Sequence, residues 1–119
     1  MRYKSIPPIT RRAALAALRG DPGRLVHAVL AVALHEGDVR WAERYCRRVA
    51  GHDDPDVRGN ALLSLGHLAR RSGTLDQGTV KPLLEAGLAH PDRRVRQRAE
   101  IAADDVEFFL GWSLRPRRL

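Results

Sequence analysis

Apolar residues along this chain recur at helical spacing in six blocks, each bounded by glycine, proline or aspartate. The first, Arg11–Arg19, follows Thr10, whose hydroxyl can cap a helix start. Gly20-Asp21-Pro22 then supplies a stop, a cap and a first-turn proline, which predicts a second helix over Pro22–Glu36. That helix is apolar around most of its circumference, at Leu25, Val26, Val29, Leu30, Val32, Ala33 and Leu34, the pattern of a helix sandwiched between neighbours. Gly37-Asp38 repeats the stop-and-cap signal before Asp38–Ala50, where Val39, Ala42, Cys46 and Val49 form one stripe. A fourth helix, Pro55–Arg71, buries Val57, Ala61, Leu65 and Leu68. A fifth starts between Asp76 and Pro82 and runs to His90. The sixth runs from Pro91 or Asp92 to Leu110, with Val95, Ala99, Ala102, Val106 and Phe109 inward. No stretch alternates apolar and polar residues, so no strand is predicted. Residues 1–9, with Pro7-Pro8, read as an extended arm lying against the body or moving free of it, and 111–119 as a basic tail.

The chain also resembles itself. Setting residues 50–61 against 88–99 aligns His52 with His90, Asp54 with Asp92, Val57-Arg58 with Val95-Arg96, and Ala61 with Ala99, all at one offset of 38. Five identities at one offset mark a duplicated unit. Each unit is a helical hairpin, Asp38–Ala50 with Pro55–Arg71 and Asp76–His90 with Asp92–Leu110, and Arg11–Arg19 with Pro22–Glu36 is a degenerate opening unit. A lone hairpin of this length cannot cover both its apolar faces; stacking supplies the missing cover.

A proline- and aspartate-bearing turn, followed on the second helix by Val-Arg and a small residue three positions on, resembles the HEAT-repeat pattern over residues 38–110. The resemblance implies an all-α fold, a short right-handed α-solenoid of about three stacked helical hairpins spanning 10–110. It also implies that Asp54, Asp92, Arg58 and Arg96 bond between neighbouring units. HEAT-like proteins include scaffolds, nucleic-acid binders and small immunity proteins that block a cognate toxin, so the resemblance is unspecific for function. The long HEAT-like DNA glycosylases have an active-site aspartate and aromatic pair with no counterpart here.

Composition sharpens this picture. The chain has 119 residues, room for one domain. Lys4 and Lys81 are the only lysines among 21 basic residues, and the net charge is +7. The excess is uneven, positive over residues 1–72 and negative over 73–110. Arginine holds carboxylate and phosphate through a planar fork, so acidic protein surfaces and polyanions are the partners this charge attracts. One cysteine excludes an internal disulfide and a cysteine zinc cluster and fits a reducing, cytoplasmic setting. The longest apolar stretch, Leu25–Leu34, is interrupted by His27 and falls short of the roughly 20 residues a spanning helix needs, so no membrane association is expected.

Candidate chemistry is sparse. His52 and His90 occupy equivalent turns about 10 Å apart by helix-packing distance, too far to share one zinc, so they read as turn residues. Cys46 lies on an apolar stripe and reads as core rather than as a nucleophile. There is no phosphate-cradling glycine loop, His-Glu-x-x-His or nucleophile elbow, so an enzyme, a cofactor, a metal and a small-molecule substrate are not expected. The residues best placed to bind are on the third helix. Arg40, Arg44, Arg47 and Arg48 lie off the buried stripe and suit acidic groups of a protein partner, with Trp41 and Tyr45 as apolar anchors. Glu100, Asp104, Asp105 and Glu107 form a possible acidic patch facing solvent or a partner. The alternative is nucleic-acid binding, for which the Arg93–Arg98 run and the Arg115–Arg118 tail offer charge but no interleaved aromatic residues.

Overall fold

Aspartate sets the helix starts. In the computed structural model, which describes residues 5–115, six helices follow one another: α1 (Arg11–Ala17), α2 (Pro22–His35), α3 (Val39–Val49), α4 (Pro55–Ser72), α5 (Gln77–Leu88) and α6 (Arg93–Leu110). Thr10 caps α1, and Asp21, Asp38, Asp54, Asp76 and Asp92 cap the other five, each side chain accepting a first-turn backbone N–H that would otherwise lack a partner. No strand occurs among the described residues. Pro82 does not open α5 but lies inside it.

The 38-residue stride is physical. Asp54 N–H donates to His52 Nδ1 at 3.0 Å, and Asp92 N–H donates to His90 Nδ1 at the same distance. Arg58 Nε donates to the His52 carbonyl at 2.9 Å, and Arg96 Nη1 to the His90 carbonyl at 2.8 Å. The register extends beyond the identities visible in the sequence. Asp38 and Asp76 cap α3 and α5, and Gly73 and Gly111 end α4 and α6 in the left-handed conformation at φ 70° and 71°, where a side chain would be strained.

These bonds correct one expectation. Asp54, Asp92, Arg58 and Arg96 do not bond between units: the aspartates cap their own helices, and the arginines reach back to carbonyls of their own turns. The reason is helical geometry, since a side chain in the first turn tilts toward the helix start and meets the turn before it meets a neighbour. Links between units come from other residues. Arg71 donates to the carbonyls of Ala33 (3.0 Å) and Glu36 (2.7 Å) at the end of α2, and Arg94 and Arg98 approach Asp56 to 3.7 and 3.8 Å. Glu43 on α3 accepts the N–H of Asp76, the cap of α5, at 2.8 Å.

Packing follows the same order. α4 lies along α6 in the most extensive contact of the molecule and against α2 on its other side, while α1, α3 and α5 each sit on the helix that follows them. One core runs through all six, from Ala14 and Leu25 through Val57 and Leu65 to Val95 and Val106. α4 and α6 come together because glycine allows it. A Cβ at Gly66 would lie 2.9 Å from Ala102 Cα, and one at Gly59 would lie 2.8 Å from Arg98 Cδ; on α5, one at Gly87 would lie 2.5 Å from Leu62 Cδ1 of α4.

The ends differ. At the first, Ile6 of the arm is buried on Leu30 and Ala31, and its carbonyl meets His35 Nε2 at 2.6 Å, so the described part of the arm lies against the body, residues 1–4 being outside the described residues. At the last, Leu114 and Trp112 fold back on the core, and Arg115 bonds Asp104 Oδ1 at 2.7 Å and Glu107 Oε1. The start of the tail is therefore packed; Arg117 and Arg118 lie outside the described residues. Phe109, expected inward, is 39% exposed and edge-on to Phe108, because no further helix among the described residues covers that side of α6.

Gly66→Ala is expected to cost about 1–3 kcal/mol, since Ala102 backbone must move, and to lower Tm by about 4–12 °C. Gly37→Ala, where no atom lies within 4 Å, serves as control and should leave Tm within a degree or two. Thermal unfolding followed by circular dichroism reads both; equal Tm values would contradict the close α4–α6 contact.

Candidate cationic face on the third helix

Six residues of α3 were singled out for binding, and the fold sorts them into two groups. Arg40, Arg44 and Arg48 recur every fourth residue, which puts them on one outward line. All three are exposed, and among the described residues none makes an ion pair. Arg47 points elsewhere and lies 3.8 Å from Glu43, four residues before it. Each side of the line is a groove. One, of about 540 Å³, lies between α3 and the α4–α5 connection and is lined by Arg40, Arg44, Arg47, Thr74 and Leu75. The other, of about 480 Å³, lies toward α1 and is lined by Leu15, Leu18, Arg19 and Arg48. Leu15 is 48% exposed, so an apolar side chain stands among guanidinium groups there.

The aromatic residues play a different part from the one expected. Tyr45 is only 4% exposed and offers no anchor to a partner. Its hydroxyl donates to the Ala14 carbonyl of α1 at 2.6 Å, and its ring stacks on Trp41 with centroids 5.4 Å apart. Arg11 of α1 then lies over the other side of the pair, its guanidinium carbon 4.9 Å from the Trp41 ring centre. Arg11 is itself held by Glu36 through two 3.1 Å hydrogen bonds and by Asp38 at 3.4 Å. The stack thus fixes α1 on α3, the two helices that border the second groove. Trp41 keeps a partly exposed edge beside Arg44 and Arg48.

Electrostatics agree with this division. Hydrogen bonding to Arg11, then to the Asp38 N–H, holds the Glu36 carboxyl below its usual range. The Trp41 N–H does the same for Asp38, aided by the charge of Arg11. These carboxylates are therefore committed to Arg11 and the α3 start, not to Arg40, Arg44 or Arg48. Burial pushes the Tyr45 hydroxyl up to about 12 and the fully buried Cys46 thiol up as well, so Cys46 packs as core.

The acidic residues of α6 do not form one patch. Glu100 and Asp104 face outward, Asp104 and Glu107 hold Arg115, and Asp105 turns inward beside His67 and Arg70. Burial raises the Asp105 carboxyl, and the two bases partly offset it. Consecutive helical positions point 100° apart, so Asp104 and Asp105 cannot share a face. Arg11 and Leu15 escaped the sequence reading, since nothing local marks a contact with a helix some thirty residues on.

The protein is thus of the all-helical class, with its histidine turns and thiol taken up by the fold and a row of arginines left open. No family model matches the chain, and comparison with curated proteins finds no match. Among solved structures it is similar to a chain in the crystal structure of the CDI complex from Cupriavidus taiwanensis LMG 19424. The TM-score is 0.76 and the identity 31%, over 92% of this chain and 97% of that one. The chain belongs to the same family as that component of the CDI complex.

Tyr45→Phe is expected to cost about 1 kcal/mol at neutral pH, the worth of one buried hydrogen bond. The folded chain holds the Tyr45 proton more tightly than the unfolded chain does. That stabilisation is complete below pH 10 and is lost as pH rises toward about 12. Urea unfolding across pH 8–12 should therefore show the gap between wild type and variant narrowing above pH 10, with Cys46 affecting both alike. Parallel curves would contradict the burial of the Tyr45 hydroxyl between α3 and α1.

Proposed function

We propose that this chain is an immunity-type protein of a contact-dependent inhibition system: a non-catalytic, HEAT-like α-solenoid that binds a toxin in the cytoplasm and blocks it by covering its surface. The observation carrying this reading is the likeness, 31% identical across nearly the whole of both chains, to a component of a CDI complex. The chemistry of the fold supports the inhibitor's part over the toxin's. Among the groups that could act as nucleophile or base, Cys46 lies in the core and His52 and His90 accept turn N–H groups. What remains open is recognition chemistry.

On this reading α3 is the docking helix. Arg40, Arg44 and Arg48 project from a helix held on two sides, by Arg11 and the Trp41–Tyr45 stack toward α1 and by Glu43 toward the start of α5. A rigid platform spends little ordering entropy on binding. The three guanidinium groups meet acidic side chains of the toxin, and the edge of Trp41 with Leu15 gives the apolar contact that charge alone lacks. No helix among the described residues is long and apolar enough to cross a membrane.

The test pairs the purified chain with the toxin domain of its own system in isothermal titration calorimetry. Arg44→Glu combined with Arg48→Glu should weaken binding at least 100-fold, while Lys81→Glu on α5 should change it less than threefold. Unchanged affinity in the double variant would reject α3 as the docking helix, and no binding by the wild type would reject the toxin reading. The same arginines could hold phosphates, so duplex DNA is titrated alongside at low and high salt. Tight, steeply salt-dependent DNA binding without toxin binding would favour a nucleic-acid partner.

A further inference from the structure

Among the described residues the most exposed large apolar side chains lie on α6: Phe108 is 81% exposed and Ile101 52%. They are not scattered. At 100° per residue, Arg93, Gln97, Glu100, Ile101, Asp104 and Phe108 fall in one outward sector, opposite the buried Val95, Ala99 and Val106, and all six are exposed. This is the side of α6 turned away from α4 and α5, where the stack of hairpins stops. The two ends of the stack are treated differently. At the first, Ile6 covers the apolar surface of α2; at the last, no described residue covers Ile101 or Phe108. Arrays of this kind need a cap at each end, and an uncapped apolar end takes a partner.

The charges along the stripe say which partner. Arg93 stands at its beginning, and Glu100 and Asp104 lie in its second half. Arg93 makes no ion pair among the described residues, and Asp104, although it bonds Arg115, keeps a side chain 70% exposed. In chain order the face reads Arg93, Gln97, Glu100, Ile101, Asp104, Phe108, a base at the start and acids in the second half with Ile101 between them and Phe108 beyond, so that reversing a second copy brings its Asp104 end to Arg93. We infer that α6 is a self-association surface, pairing antiparallel with α6 of a second copy about a two-fold axis. A two-fold interface uses the same patch on both chains, which is what this stripe satisfies and a parallel pairing would not, since it would set like charges together.

The register follows from the spacing. Placing Arg93 of one copy opposite Asp104 of the other also sets Gln97 opposite Glu100, brings both Ile101 side chains beside the axis, and carries Phe108 past the partner helix start to the turn before it. The stripe involves one helix per chain, at the small end of interface sizes, so a Kd on the order of 10 µM is expected. The surface lies on a different helix from the α3 arginines and does not depend on the toxin reading.

Sedimentation velocity of the full chain from about 1 to about 300 µM tests it, this range spanning the expected Kd. The wild type should pass from monomer to dimer. Arg93→Glu and Asp104→Lys should each weaken the dimer at least tenfold, one by setting acid against acid and the other base against base. An equimolar mixture of the two variants should recover dimer, because the mixed pair joins the introduced glutamate to the introduced lysine at one contact and keeps Arg93 with Asp104 at the other. Recovery would also show that both variants are folded. Phe108→Ser should weaken the dimer without any rescue by mixing. A wild type that stays monomeric throughout overturns the inference and leaves the face to an unlike partner. Variants that dimerise as well as the wild type, or a mixture that recovers nothing, overturn it too.

Discussion

Everything in this molecule depends on how closely α4 can approach α6. Gly59 and Gly66 let the backbone of α4 settle on Arg98 and Ala102, and Gly87 of α5 receives Leu62 at the same junction. Close approach of this kind is gained only through shape, because each missing Cβ is filled by an atom of the neighbouring helix. With α2 on the opposite side, α4 becomes the central rod of the protein, most of residues 57–69 buried. α3 is carried directly on this spine, α1 on α2 and α5 mainly on α6, and the arginines of α1 and α3 come to the surface.

Arginine has two uses here, and telling them apart is the key to the function. Arg58, Arg71 and Arg96 donate to backbone carbonyls and close turns or helix ends. Arg11 clamps α1 to α3, and Arg115 ties the tail to α6. Those groups contribute to the net charge of +7 but are spent on the fold. Among the arginines not spent in this way, Arg40, Arg44 and Arg48 form one exposed line, and its position on a helix held on two sides makes it a fixed pattern of charge. Exposed pairs are worth little singly, so three on one rigid line matter more than their number in the composition.

The helix boundaries were legible because each rests on local chemistry: an aspartate that accepts an N–H within three residues, a proline in the first turn, a glycine past the end. The duplicated hairpin was legible because His52 and His90 do the same work with the same bonds. The part played by Tyr45 was not. Its spacing from Ala42 and Val49 fits either face of α3, and only the distant Ala14 carbonyl decides that its hydroxyl turns inward. The same holds for Asp105, whose neighbours His67 and Arg70 lie on another helix, and for Phe109, whose exposure follows from there being no further hairpin among the described residues on that side. Local signals set the elements; contacts across tens of residues set which side chains stay free, and a candidate site consists of free side chains.

The claim underlying this account is that a hairpin of the chain cannot keep its apolar faces dry without a neighbour. Far-UV circular dichroism with urea titration of the isolated segment 38–73, beside the two-hairpin segment 38–111, tests it most directly. The single hairpin is expected to show little helix and no cooperative transition, and the pair to show both. A segment 38–73 that unfolds by itself in a steep transition, with the helix content α3 and α4 have in the whole protein, would contradict the account.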